Sequence, residues 1–116
     1  MQSTEMLNAI LDVLDDGKAR DVTVIDVRNK TTLTDYMIVA SGTSDRHVSS
    51  LGGMLVEQLK HQHVLPLGVE GLAQGEWVLV DFGDAVVHVM KPQVREFYQL
   101  EKLWQGDFPA AKVSNA

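Results

Sequence analysis

Trp77-Val-Leu-Val-Asp-Phe-Gly-Asp-Ala-Val-Val-His-Val-Met90 places two apolar runs on either side of Gly83-Asp84. Glycine at the first central position supplies the positive φ that two-residue hairpin turns require, so the stretch predicts a tight antiparallel hairpin. The turn also sets the register. Phe82 faces Ala85, Val80 faces Val87 and Val78 faces Val89. Side chains alternate with period two, so these apolar residues share one face, which packs on the core. The opposite face pairs Trp77 with Met90, Leu79 with His88 and Asp81 with Val86. A face mixing Trp, Met, Asp and His is neither an ordinary core nor an ordinary solvated surface, and it fits a place where something docks. His88 lies diagonally across the ribbon from Asp81, within side-chain reach. Without a neighbouring Ser or Cys nucleophile, such a pair orients side chains rather than performing catalysis.

The residues leading into the hairpin sharpen this picture. Val64-Leu-Pro-Leu-Gly-Val69 predicts a short strand, and Pro66, lacking a donor, sets it at a sheet edge or near the strand's start. Between Lys60 and Lys91 there is no Lys or Arg, whereas Glu70, Glu76, Asp81 and Asp84 all fall inside. Uncompensated carboxylates beside aromatic and apolar groups suit a partner that brings its own Arg and Lys. A solvated, slightly acidic loop beside a core hairpin is the other account of the same residues.

Upstream, Leu7, Ile10, Leu11 and Leu14 follow the spacing of an amphipathic helix over Met6–Leu14, with Ser3 or Thr4 able to cap it and Gly17 able to end it. Asp21–Arg28 is rich in β-branched residues on both faces and predicts a strand covered on both sides. Asn29–Thr32 is a turn, and Tyr36–Ala40 is the antiparallel neighbour strand. Ser41-Gly-Thr-Ser-Asp45 then opens the longest helix, Asp45–His61, with Ser44 or Thr43 as its cap and Val48, Leu51, Leu55 and Leu59 as its buried stripe. Gly52-Gly53 in mid-helix costs roughly 1 kcal/mol per glycine relative to alanine. Close approach of the sheet or of a second subunit would account for it, as would helix bending. After the hairpin, Lys91-Pro92 starts a last helix over which Val94, Phe97, Tyr98, Leu100, Leu103 and Trp104 spread in loose register.

The order of elements predicts a single α/β domain over residues 1–105, with a mixed sheet of about five strands flanked by helices. Residues 106–116, small, polar and interrupted by Pro109, are expected to form a disordered tail. A formal net charge of −6, with the ten basic residues scattered, argues against general nucleic-acid binding. The chain has no cysteine, hence no disulfide, thiolate metal site or Cys nucleophile. It shows neither a secretory signal nor a membrane span, so a cytoplasmic location is expected.

Two chemical alternatives stand beside docking. The Ser41–Asp45 turn could bind an anion at a helix start, as a nucleotide-binding enzyme would. It lacks the ending of a P-loop, and the Asp-x-Asp pair that a nucleotidyltransferase uses for its metals is missing, because the next strand offers Glu70 alone. A capped helix start is the simpler account. His47, His61, His63 and His88 do not present metal-ligand spacing, since His61 and His63 point to different faces of a helix. Neither a metal nor a cofactor is expected.

Thr34-Asp-Tyr-Met-Ile-Val-Ala-Ser-Gly-Thr-Ser-Asp-Arg-His-Val48, Pro66-Leu-Gly-Val-Glu-Gly71, Trp77–Asp84, Val87-His-Val-Met90 and Leu100-Glu-Lys-Leu-Trp104 together closely resemble the Iojap-related family of bacterial ribosomal silencing factors. The resemblance spans the chain from the first helix to Trp104. It implies a nucleotidyltransferase-like fold without nucleotidyl transfer and therefore a protein that is not an enzyme. It also implies the partner: ribosomal protein fourteen of the large subunit, a basic protein on the subunit-joining face. Bound there, a family member blocks docking of the small subunit and represses translation by steric occlusion. Homodimers are implied as well, which would give Gly52-Gly53 a purpose. The partner-binding residues carried over are Glu70, Gly71, Trp77, Asp81, His88 and Met90, with Pro66 and Leu67 shaping the edge.

Overall fold

In the computed structural model, which describes residues 1–99, β4 (Trp77–Asp81) and β5 (Ala85–Met90) form the hairpin with the register that the alternation demands. Trp77 pairs with Met90, Leu79 with His88 and Val80 with Val87. Gly83 adopts φ 89°, and the Phe82 N–H donates to the Ala85 carbonyl across the turn at 2.9 Å. The expectations for Leu100, Leu103 and Trp104, the boundary at 105 and the 106–116 tail lie outside the described residues.

Around the hairpin, β1 (Arg20–Asp26), β2 (Tyr36–Ser41) and β3 (Gly68–Glu70) complete a five-stranded sheet in the order β1-β2-β5-β4-β3. β2 runs parallel to β5, and the remaining pairs are antiparallel, so the sheet is mixed. Every residue of β2 is buried, as suits an interior strand with a neighbour on each side. β1 departs from the expected two-sided burial. Its register slips between Arg20 and Thr23, Asp21 takes a positive φ, and only Thr23, Val24 and Ile25 are buried. A bulge of this kind twists the start of an edge strand away from its neighbour.

One face of the sheet carries α1 (Ser3–Asp16) and α2 (Asp45–His61). Ile10 and Leu14 from α1, and Val48, Leu51, Leu55 and Leu59 from α2, close over Ile38, Val78, Val80, Val87 and Val89. Burying a side chain of this kind contributes roughly 1.5–3 kcal/mol. Within α2 the two glycines differ. A Cβ on Gly52 would lie 2.6 Å from Val78 Cγ1 and 2.8 Å from Leu72 Cδ2, whereas one on Gly53 would meet nothing within 4 Å. The close approach at Gly52 is therefore to the sheet.

Among the described residues the opposite face is only half covered. α3 (Pro92–Tyr98) lays Val94 over Ile25, Val27, Met37, Val39 and Met90, a second, smaller core. Arg95 fixes this helix to the sheet: it donates to the Asp21 carbonyl at 2.6 Å, to Ser41 Oγ at 3.0 Å and to Thr23 Oγ1 at 3.0 Å. Beyond α3 the sheet face over β4, β5 and β3 has no helix on it among the described residues.

Candidate docking face

The uncovered half of the sheet gathers most of the residues singled out in the sequence. Trp77 is half-buried at its centre and separates two depressions. On one side lies a cleft of about 320 Å³ lined by Glu70, Gly71, Trp77, Leu79 and His88. On the other lies a groove of about 400 Å³ lined by Glu76, Trp77, Gln93, Val94, Phe97 and Tyr98. The register places Glu70 opposite Leu79 and Leu79 opposite His88, which brings β3, β4 and β5 side chains to one surface. A shallow, partly apolar surface of this kind suits the side chains of another protein.

The Trp77 indole is held by two neighbouring side chains. Its Nε1–H donates to His88 Nδ1 at 3.0 Å. Its ring leans on Tyr98 with centroids 4.9 Å apart, and Phe97 meets Tyr98 edge-on at the same separation. Phe97 remains 79% exposed and Tyr98 54% exposed, so this aromatic row offers apolar area to the outside. Trp and Tyr are the side chains most enriched among residues that dominate interface energies. Burial pushes the His88 pKa down to about 4, so the ring is neutral at pH 7.

Backbone geometry builds the cleft's rim. Gly71 has φ 88°, and a Cβ there would lie 2.0 Å from the Trp77 carbonyl oxygen, so only glycine lets the chain cross the start of β4. β3 is shorter and later than expected, Gly68–Glu70 instead of Val64–Val69. Pro66 has no N–H to give, and the first bond to β4 is made by the Leu67 N–H, to the Asp81 carbonyl at 2.6 Å. Pro66 is half-buried, while Leu67 is 77% exposed beside the edge.

Two expectations for this face are corrected. Met90 is fully buried beneath Val94 and Trp77, so its side chain is core and presents nothing at the surface. The alternation put Met90 on the correct side of the sheet, but α3 covers that end. Asp81 does not pair with His88. Its Oδ1 accepts the Gly83 N–H at 2.8 Å, and His88 takes the Trp77 indole instead. Glu70 and Asp84 are exposed and Asp81 is half-buried, and none of the three makes an ion pair among the described residues. Leu79 lines the cleft on the face where the alternation put it, although it was not among the expected binding residues, and Phe97 and Tyr98 join the face without having been expected there. Adjacent large aromatics in a helix cannot both point at one core, and that was the available signal.

The turn before α2 is occupied by its own contacts. Ser44 Oγ accepts the His47 N–H at 3.1 Å, and the Thr43 N–H donates to His47 Nδ1 at 2.9 Å. His47 Nε2 then carries the ring proton and donates to the Gly17 carbonyl at 2.8 Å. This turn ties α2 to the end of α1. Among the described residues no three His, Asp or Glu side chains converge as a metal site, and no helix is long and apolar enough to cross a membrane.

Comparisons with known proteins agree with this arrangement. The family profile described as "Ribosomal silencing factor during starvation" matches residues 1–115. The ribosomal silencing factor RsfS of Chromobacterium violaceum is 42% identical over 116 residues, which is 100% of this chain and 95% of that protein. The mouse protein named "Mitochondrial assembly of ribosomal large subunit protein 1" is 39% identical over 84% of this chain and 44% of its own length. A crystal structure of a Chromobacterium violaceum protein superposes with a TM-score of 0.87 at 43% identity, covering 90% of this chain and 87% of that one.

Proposed function

Because this chain belongs to the ribosomal silencing factor family, we propose that it represses translation by docking on the large ribosomal subunit and blocking its union with the small one. The docking partner is ribosomal protein fourteen of the large subunit, whose basic surface meets the acidic, aromatic face around Trp77. The carrying observation is that, among the described residues, nothing covers half of one sheet face. It holds a braced tryptophan between two depressions and carboxylates with no ion pair among the described residues. No bond is made or broken in this mechanism, so it needs neither a nucleophile nor a metal. A bound domain occupies space that the small subunit would otherwise fill. Glu70 and Asp81 pair with cations of the partner, Trp77 and the aromatic row supply apolar contact, and Leu67 and Pro66 frame the edge.

Sedimentation of purified subunits at a magnesium concentration that permits joining tests this. The protein is expected to travel with the large subunit and to lower the fraction of joined ribosomes. Undiminished joining, with the protein left at the top of the gradient, would overturn it.

A further inference from the structure

His88 adds a directional requirement to that face. An indole Nε1–H can only donate, so the ring nitrogen facing it across 3.0 Å must be unprotonated. The neutral imidazole therefore carries its single proton on Nε2. Nε2 makes no hydrogen bond among the described residues, yet it is not sealed in the interior. His88 lines the cleft together with Gly71, Trp77, Leu79 and Glu70, whose carboxylate is the other polar side-chain group there.

We propose that His88 is a specificity-determining residue of the docking face: the Trp77 indole fixes it as the Nε2–H tautomer, and it reads a neutral carbonyl oxygen on the partner. This rests on the docking function proposed above and deepens it. The cleft offers one donor beside one anion. It fits a protein segment that places a backbone or amide carbonyl next to a Lys or Arg. A partner carboxylate or phosphate could accept from Nε2 as well, but it would stand against Glu70, and like charges in one site are costly. Trp77 thus serves twice, as apolar contact and as the group that sets which nitrogen of His88 bears the proton. The lowered His88 pKa keeps the ring neutral, and so able to hold this tautomer, at pH 7.

Two substitutions separate the ring's nitrogens. In His88→Asn the side-chain oxygen replaces Nδ1 and keeps the indole bond, but the outer donor is gone. In His88→Gln the amide reaches the Nε2 position and restores a donor, while the indole loses its acceptor. The measurements use the full chain: ¹⁵N spectra of the histidine ring, the Trp77 indole resonance, and affinity for purified large subunits. The expected result is an Nε2–H ring in the wild type, an unmoved indole resonance in His88→Asn with affinity lower by at least about tenfold, and partial recovery in His88→Gln. An Nδ1–H ring would overturn the proposal. So would wild-type affinity in His88→Asn, or an order in which His88→Asn binds better than His88→Gln. Those results leave the docking function standing, because the wild type still binds. Failure of the wild type to bind large subunits would remove both. Each variant is checked by its backbone amide spectrum, and the tautomer assignment holds or fails on the unmodified protein.

Discussion

His88 and Trp77 share one hydrogen bond, and its loss in acid has a calculable direction. Burial holds the His88 pKa at about 4 in the folded protein. An unfolded chain's histidine titrates near ~6.5. Below that value the unfolded state binds more protons, so stability falls as pH drops from about 6.5 to about 4 and is unaffected by this group above pH 7. The interval corresponds to roughly 3 kcal/mol. Denaturant unfolding between pH 7 and pH 4 should therefore show a steeper loss for the wild type than for His88→Asn. Parallel curves would mean that His88 is not held neutral. At Trp77 the expected effect is on binding. Trp77→Ala removes the wall between cleft and groove and should weaken attachment to the large subunit by at least ~2 kcal/mol while the amide spectrum stays folded. Unchanged affinity in a folded variant would remove Trp77 from the interface.

Within α2, adjacent glycines should respond in opposite directions. Gly52→Ala forces a methyl against Val78, a stiff β-branched side chain with no exposed surface, and overpacking of this kind costs about 1–3 kcal/mol. Gly53→Ala meets open space and should stabilise the protein by roughly 0.5–1 kcal/mol through helix propensity alone. Thermal unfolding of the two variants checks both signs, and destabilisation by both would contradict the account. The elements whose cause is local were legible in the sequence. Ser44 and the apolar stripe of α2 set that helix at Asp45–His61, and Gly83-Asp84 set the hairpin register. What escaped depends on neighbours distant in sequence. Which neighbour crowds Gly52 requires knowing that β4 passes beneath it. Met90 shares its alternation with half-buried residues and is fully buried because α3 and Trp77 close over it. The shift of β3 comes from the first bond being made at Leu67, a pairing with Asp81 that no local pattern specifies. The docking face was visible as a composition, whereas the Trp77–His88 bond that organises it was not, since pairing Asp81 with His88 was equally consistent with spacing.

Across the whole molecule, charge and layering act together. The net charge is −6, and among the described residues two helices close one sheet face while the other is half covered, with Glu70 exposed and Asp81 half-buried on the uncovered part. A field of this sign should draw in a basic partner before contact, an effect that acts mainly on the association rate and fades with salt. Glu70→Lys changes the local charge by two without touching the buried layers, because Glu70 is exposed on a three-residue edge strand. The expected outcome is association with large subunits slowed by about tenfold at low salt, a difference that narrows toward unity near 1 M, where the screening length is about 3 Å. Dissociation should change far less. Stopped-flow or surface-based kinetics at several salt concentrations separate the two rates. A salt-independent increase in the dissociation rate would instead identify Glu70 as a desolvated, tightly paired contact, and long-range steering would be the wrong description of how this face finds its partner.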